Sequence, residues 1–458
     1  MPTLLDVMNK ALTGKPCSER DYDLKIFATK LKELVKDYDI KYDPELSVSS
    51  DDSLADDVFK AALDLYREVG TYCKDTERII KFDESEIKEG LKNAPSKASF
   101  GEGKDAKVMV PRKPEDKTPP WCFIGAGGAP VSSEEILLSL VQGYGSIPLA
   151  DSITTPALTL VDGMRIRSNS PLEIYGAIRN AILAREALRR AGRPGLPIMN
   201  ALATAESAPS LIAALHPQYG LRPSDGYLMA ALAELKVDFD RLNKACALSN
   251  LGARIVGEAG PVFGGYCGGP EGTAITSAAY HILGVLVYQA TCHLVFPVHI
   301  NYRCSTAPEL SWVISTYGQA ISRNTNLLSL NLTYTAAGPC TEMCLYEIAA
   351  RAMTAVVSGL SIEAVGVGKA IHEDYLTPIE PKFAAEVAHA TAVSGIKKEG
   401  ANDIVKHLES LYRDKLSNPP LGMKYQECFD VKTGKPSRKC LEVYSKVKRE
   451  LKDLGLEF

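Results

Sequence analysis

From residue 121 the chain repeats one rhythm: a short apolar run, a loop of glycine or small residues, then apolar positions at helical spacing. The runs at 121–124, 157–161, 196–200, 254–256, 295–300, 327–334 and 362–365 read as strands. Helices are predicted over 131–140, with Ser132 or Ser133 as N-cap, over 171–191 with Pro171 at its start, and over 225–235. Close to eight such β/α units argue for a parallel TIM (β/α)8 barrel. Before it, residues 29–38 and 55–69 carry apolar side chains on one face and read as helices, and 78–87 as a short strand, a turn and a helix start. The lysine- and proline-bearing stretch 104–120 reads as an exposed connection. After residue 397 the chain is charged and helical, with a break at 418–422. A final amphipathic helix over 440–456 is expected to bury Leu441, Tyr444, Val447, Leu451 and Leu454. The expected organisation is a helical extension over 1–120, the barrel over 121–396, and a C-terminal helical segment over 397–458 packed on the barrel or on a neighbouring subunit.

Charge and composition narrow the class. The chain has 458 residues, 45% hydrophobic and 24% charged, with a net charge of −4, which gives no reason to expect nucleic acid or an anionic membrane as partner. The first ten residues lack a basic segment followed by an apolar one, so no signal peptide is read there. Eleven cysteines without a framework of spacings fit a reducing cytoplasm. Residues 272–302 contain no Asp, Glu, Lys or Arg. Polar side chains such as Thr276, His281 and His293, and the interruption at Pro297, make this a buried helix and strand rather than a membrane span. Its small residues suit close packing in a core or at a subunit boundary.

Two glycine-rich loops hold the candidate chemistry. Glu258 opens the segment Glu-Ala-Gly-Pro-Val-Phe-Gly-Gly-Tyr-Cys-Gly-Gly, and Tyr334 opens Tyr-Thr-Ala-Ala-Gly-Pro-Cys-Thr-Glu-Met-Cys. Each stands where an apolar strand ends, the position from which barrel enzymes build their sites. A carboxylate and a phenol there suit a small cationic ligand. His299, at another strand end, reads as a hydrogen-bonded histidine beside the same pocket. Cys340 and Cys344, four apart on a helix face, could join His299 and Cys304 in a zinc site, although cysteines near a helix start are more often small core residues. Dinucleotide, P-loop and nucleophile-elbow motifs are absent from the sequence.

At these residues the chain resembles a known family. Gly192-Arg-Pro-Gly, Pro261-Val-Phe-Gly-Gly-Tyr-Cys-Gly-Gly, Pro297-Val-His-Ile, Ala337-Gly-Pro-Cys-Thr-Glu-Met-Cys-Leu, Tyr425-Gln-Glu-Cys-Phe-Asp-Val-Lys-Thr and Leu451-Lys-Asp-Leu-Gly-Leu-Glu-Phe resemble monomethylamine:corrinoid protein methyltransferases of methanogenic archaea. Cys73-Lys-Asp-Thr-Glu-Arg-Ile-Ile-Lys-Phe extends the resemblance nearly end to end. It implies a TIM barrel, a homo-oligomer (hexameric in that family), no tightly bound cofactor, and methyl transfer to the cobalamin cobalt of a cognate corrinoid protein. It places the family's active-site glutamate on Glu258 and its tyrosine on Tyr334. The family's pyrrolysine, six residues beyond the arginine of Gly-Arg-Pro-Gly, falls on Met199, and its pocket glutamine falls on Leu332. A thioether is neither electrophilic nor basic, so the adduct chemistry attributed to pyrrolysine is missing. A more apolar pocket, with Glu258 as counter-charge, Tyr334 as a cation–π face and Met199 and Leu332 against methyl groups, suits a quaternary or tertiary amine. The alternatives are a non-catalytic paralogue that binds within the methyltransferase system, and a zinc enzyme built on Cys340, Cys344 and His299.

Overall fold

A computed structural model describes residues 2–458 apart from 126, 201–206, 217 and 368–371. Eight strands, β1 (Cys122–Ile124), β2 (Ser152–Thr154), β3 (Ile198–Asn200), β4 (Gly226–Ala230), β5 (Arg254–Ala259), β6 (Cys292–Val295), β7 (Ser329–Thr335) and β8 (Ser361–Val367), form one parallel sheet in the order β3-β2-β1-β8-β7-β6-β5-β4. That is chain order around a ring. The ring closes between β3 and β4 through side chains. Asp225 Oδ1 accepts from the Ile198 amide at 2.8 Å, and Gly226 leaves room for Met199, whose Cγ would lie 2.9 Å from an added Cβ. Each strand is followed by a helix: α1 (Glu134–Gly145), α2 (Pro171–Arg190), α3 (Ala208–Ala214), α4 (Phe239–Asn250), α5 (Pro270–Leu286), α6 (Pro308–Asn324), α7 (Glu342–Val357) and α8 (Ile379–Ser394). Local chemistry starts them where the sequence suggests. Ser133 caps α1 and Thr341 caps α7, and proline occupies the first helical position of α2, α5 and α6, where no amide hydrogen is needed.

The uncharged stretch is spent inside the molecule. Every described residue of α5 from Gly272 to Leu286 is buried, against the N-terminal helix Asp52–Val69 among others. Glycines make this closeness possible: a Cβ on Gly284 would lie 2.5 Å from the His293 ring, and one on Gly272 2.2 Å from the Cys267 carbonyl. Among the described residues no helix is long and apolar enough to cross a membrane.

Several boundaries differ from the sequence reading. Residues 226–230, expected in a helix, are β4, buried on four of five positions. A parallel strand covered on both faces shows no alternation, so its apolar run imitates helical spacing. The run at 157–161 is not a barrel strand. Ala157–Leu158 pairs with Pro130–Val131, Leu160–Val161 pairs with Met164–Arg165, and the barrel uses Ser152–Thr154 instead. The stretch 104–120 is not simply exposed. Ala98–Phe100 and Lys107–Met109 form a hairpin whose Phe100 and Met109, with Trp121, fill the N-terminal end of the barrel. Arg112 is buried below it, donating to the carbonyls of Thr118, Val356 and Leu360. The last helix spans Arg438–Asp453; Val447 and Leu451 are buried as expected, whereas Leu441 is exposed.

Candidate functional site

With the N-terminal end filled, the open end of the barrel is the one where the strands finish. The interior below it is apolar: Phe123, Met199, Leu228, Val256, Leu294, Leu328, Leu330 and Leu332 form one cluster. Met199 is 0% exposed and Leu332 8%, so both belong to the floor rather than to a wetted wall.

Above this floor stand the polar groups. Glu258 lies at the end of β5, paired with Ala230 on β4 and Leu294 on β6. It is half-buried, and burial pushes its carboxyl up to about 7, with Arg241 pulling the other way. Tyr334, also half-buried, lies on β7 beside Gly366, where a Cβ would approach its ring to 2.4 Å. Glycine at 366 therefore lets the phenol lie flat against β8. Burial raises the Tyr334 hydroxyl, so the ring is neutral and presents an aromatic face. Ser305 fixes the strand end with one backbone and one side-chain hydrogen bond: its amide donates to the Tyr334 carbonyl at 2.8 Å, and its Oγ accepts from the Tyr334 amide at 2.8 Å.

Two carboxyls complete the arrangement, and neither was singled out from the sequence. Glu363 on β8 pairs with Leu332 and Phe123, both interior residues, so it faces the barrel. It is 3% exposed, and its Oε2 has no hydrogen-bond partner among the described residues. Burial first, then the Glu258 charge, hold it well above the usual carboxylate range. Glu347, fully buried on α7, accepts from the amides of Ala336 at 2.7 Å and Ala337 at 2.9 Å and from the Thr306 hydroxyl. It thus fastens the loop that follows Tyr334. The available signal was a lone acid inside an apolar run: Glu363 between Ile362 and Ala364, Glu347 within Leu345–Ala349.

His299 sits off the barrel sheet, in a two-residue ribbon with Val262–Phe263 at the rim. Its Nδ1 accepts from the amides of Asn301 at 3.1 Å and Tyr302 at 3.4 Å, and its ring packs on Phe263 and Tyr302. Burial lowers its basicity, so it is a neutral turn-forming residue. The expected zinc set is not assembled. Cys340 lies before the α7 cap at φ 58° rather than on the helix face of Cys344, and is disulfide-bonded to Cys440. Cys344 Sγ is 3.7 Å from Thr335 Oγ1. A cavity of about 540 Å³ between α1, α8 and the C-terminal helix is lined by Leu138, Phe429 and Tyr444 and by none of the predicted site residues. Its size is no argument for placing the chemistry there.

Comparison with known proteins agrees with this fold. The model of the family described as monomethylamine methyltransferase MtmB matches residues 3–456. Monomethylamine methyltransferase MtmB1 of Methanosarcina barkeri is 34% identical over 454 residues, covering 99% of this chain and 98% of the relative. The MtmB of Methanosarcina mazei is 34% identical over the same shares of both chains. The crystal structure of the Methanosarcina barkeri monomethylamine methyltransferase superposes with a TM-score of 0.95 at 34% identity, over 99% of this chain and 98% of that one. The structure of the hydroxylamine MtmB complex gives the same values. The chain, a (β/α)8 barrel with a carboxyl and a phenol at its mouth, belongs to the monomethylamine methyltransferase MtmB family, and is a methyltransferase.

Proposed function

We propose that this methyltransferase moves a methyl group from a small quaternary or tertiary amine to the Co(I) of a cognate corrinoid protein, without a pyrrolysine. The relatives are named for monomethylamine; this chain keeps Glu258 and Tyr334 but carries Met199 and Leu332 where the resemblance puts pyrrolysine and glutamine. The supporting observation is the contrast within the barrel: an apolar floor below a half-buried carboxyl and a flat, neutral phenol. A methylated ammonium fits both halves. Its charge faces Glu258 and the Tyr334 ring, and its methyl groups meet the hydrocarbon. Glu363, held protonated by burial and by the Glu258 charge, leaves Glu258 as the acid that faces the cation.

The transfer itself needs little from the protein. The C–N bond breaks with its electron pair left on nitrogen, the methyl passes to the Co(I) electron pair of the partner, and a neutral amine leaves. A quaternary nitrogen is already activated for this, so no covalent adduct is required. The residues supply orientation and charge, holding the cation with one methyl toward the open end. Under this reading the chain acts as a homo-oligomer, hexameric by the family resemblance, and the corrinoid protein docks over the mouth.

A second reading rests on the full burial of Met199: a plugged barrel that binds a partner of the methyltransferase system without turning over. Mixing the enzyme with a reconstituted corrinoid protein in the Co(I) state and a panel of methylated amines separates the two by absorbance. Methyl-Co(III) with a quaternary or tertiary amine, and not with monomethylamine, is the expected result. No methyl-Co(III) with any compound favours the non-catalytic reading. Formation with monomethylamine would mean that the substitution by Met199 does not change the substrate.

A further inference from the structure

Three sulfurs converge where the loop after β7 meets the C-terminal segment. Cys340, Cys428 and Cys440 place their Sγ atoms all within 4.8 Å of one another, and all three residues are buried. Cys340 and Cys440, 100 residues apart with Cα atoms 5.3 Å apart, are joined as a disulfide. A disulfide needs two sulfurs and leaves the nearness of the third unexplained. We propose that in the reduced protein Cys340, Cys428 and Cys440 form a three-thiolate site for a divalent ion of borderline softness, zinc foremost, and that the disulfide is the metal-free oxidised form of the same site.

The geometry is of the right size. A tetrahedral zinc with sulfurs at about 2.3 Å sets them about 3.8 Å apart, inside the 4.8 Å within which the three sulfurs lie. Release requires two electrons and two protons, which a dithiol supplies by exchange, becoming a cyclic disulfide itself. Metal binding then displaces the three thiol protons.

Two helix starts converge on the cluster. Cys340 immediately precedes Thr341, the N-cap of α7, and Cys440 stands in the first turn of the helix Arg438–Asp453, its amide bonded to Ser437 Oγ. Two helix N-termini therefore present their positive ends to the cluster. Cys428 donates its thiol hydrogen to the Lys424 carbonyl at 3.0 Å. Glu380 also has a supporting part: its Oε1 accepts from the Cys340 amide at 2.9 Å and fixes that residue's backbone. Such a site would tie the loop six residues beyond Tyr334 to the C-terminal helix, at some remove from the methyl-transfer chemistry.

The test uses the full-length protein reduced with a phosphine under anaerobic conditions and titrated with Co2+. The expected result is one equivalent of cobalt giving the visible bands of a tetrahedral thiolate complex, bleached by one equivalent of Zn2+. Cys428→Ser should weaken binding at least 100-fold, and zinc should protect Cys340, Cys428 and Cys440 from alkylation in the wild-type protein. Protection mapping needs no variant, so a substitution that fails to fold does not blunt the test. The proposal is overturned if the fully reduced protein shows no cobalt bands, if Cys428→Ser binds as the wild type does, or if protection maps to other cysteines. It is equally overturned if the Cys340–Cys440 bond persists through reduction and no metal binds.

Discussion

Under the proposed function Glu258 and Tyr334 would act on a cation by different physics, and substitution separates them. Glu258 would supply its carboxylate charge from a half-buried position; Glu258→Gln keeps the shape and removes the charge. Turnover of a cationic substrate by this variant should fall at least 100-fold with the fold intact by circular dichroism, and unchanged kcat/KM would remove Glu258 from the mechanism. Tyr334 supplies a ring face, which Tyr334→Phe retains. That variant should bind tetramethylammonium within about threefold of wild type. Tyr334→Ala, which loses a cation–π contact of about 1–2 kcal/mol, should bind roughly 5- to 30-fold more weakly. Calorimetric titration with tetramethylammonium checks both, and equal losses in Phe and Ala would point to the hydroxyl rather than the ring. These two residues were legible in the sequence because each breaks an apolar run at a strand end. Glu363 breaks such a run as plainly, yet only the strand register, which sets it beside Leu332 and Phe123, shows that it faces inward.

At the scale of elements, the loop after β7 depends on one buried acid. Glu347 takes two backbone amides and the Thr306 hydroxyl, and so links α7 to the loops after β6 and β7. Glu347→Ala would leave three buried donors without partners, each worth about 1–3 kcal/mol, two of them in the loop that begins two residues after Tyr334. The expected outcome is a lower melting temperature together with a lower kcat, while Glu347→Gln, which keeps one acceptor, falls between. A variant that melts early yet retains full kcat would show that the loop does not position Tyr334. The elements themselves were readable where a cap or proline marks an end, as at Ser133 and Pro171. They were misread where tertiary cover erases the pattern. β4 carries Tyr227, Leu228 and Met229 buried in succession, with Tyr227 and Met229 toward the helices and Leu228 toward the barrel. The bottom hairpin was missed because its strands are three residues each and only long-range closure of the barrel gives Phe100 and Met109 something to fill.

Over the whole molecule, buried acids and buried histidines pull stability in opposite directions with pH. Glu258 and Glu347 are each pushed up to about 7 by burial, and Glu363, Glu380 and Glu409 are raised as well. The unfolded chain loses these protons near the ordinary carboxyl value of about 4.3, whereas the folded chain keeps those of Glu258 and Glu347 until about 7 and releases those of the other three above their ordinary value. Their contribution is therefore complete at low pH and is lost as pH rises through the folded values. His281, pushed down to about 4, and His293, held lower still, do the reverse: their contribution is present above about 6.5 and is lost as pH falls. Between about 4.5 and 6.5 the two sets partly offset; above 6.5 only the acids change. The melting temperature should thus decline from pH 6.5 to 8. Glu258→Gln tests a single member of the set. At pH 4 the wild-type carboxyl is largely protonated in both the folded and the unfolded chain, and the variant should melt at the same temperature. At pH 8 the wild-type charge is exposed to its unfavourable surroundings. Discounted for the solvent that reaches this half-buried group, the relief is about 1–2 kcal/mol, or about 1–2 °C for a chain of this size. A variant that is inactive but more stable only on the alkaline side would identify Glu258 as a charge kept for function at the expense of the fold. An identical shift at both pH values would mean that packing, not ionisation, distinguishes Glu258 from glutamine.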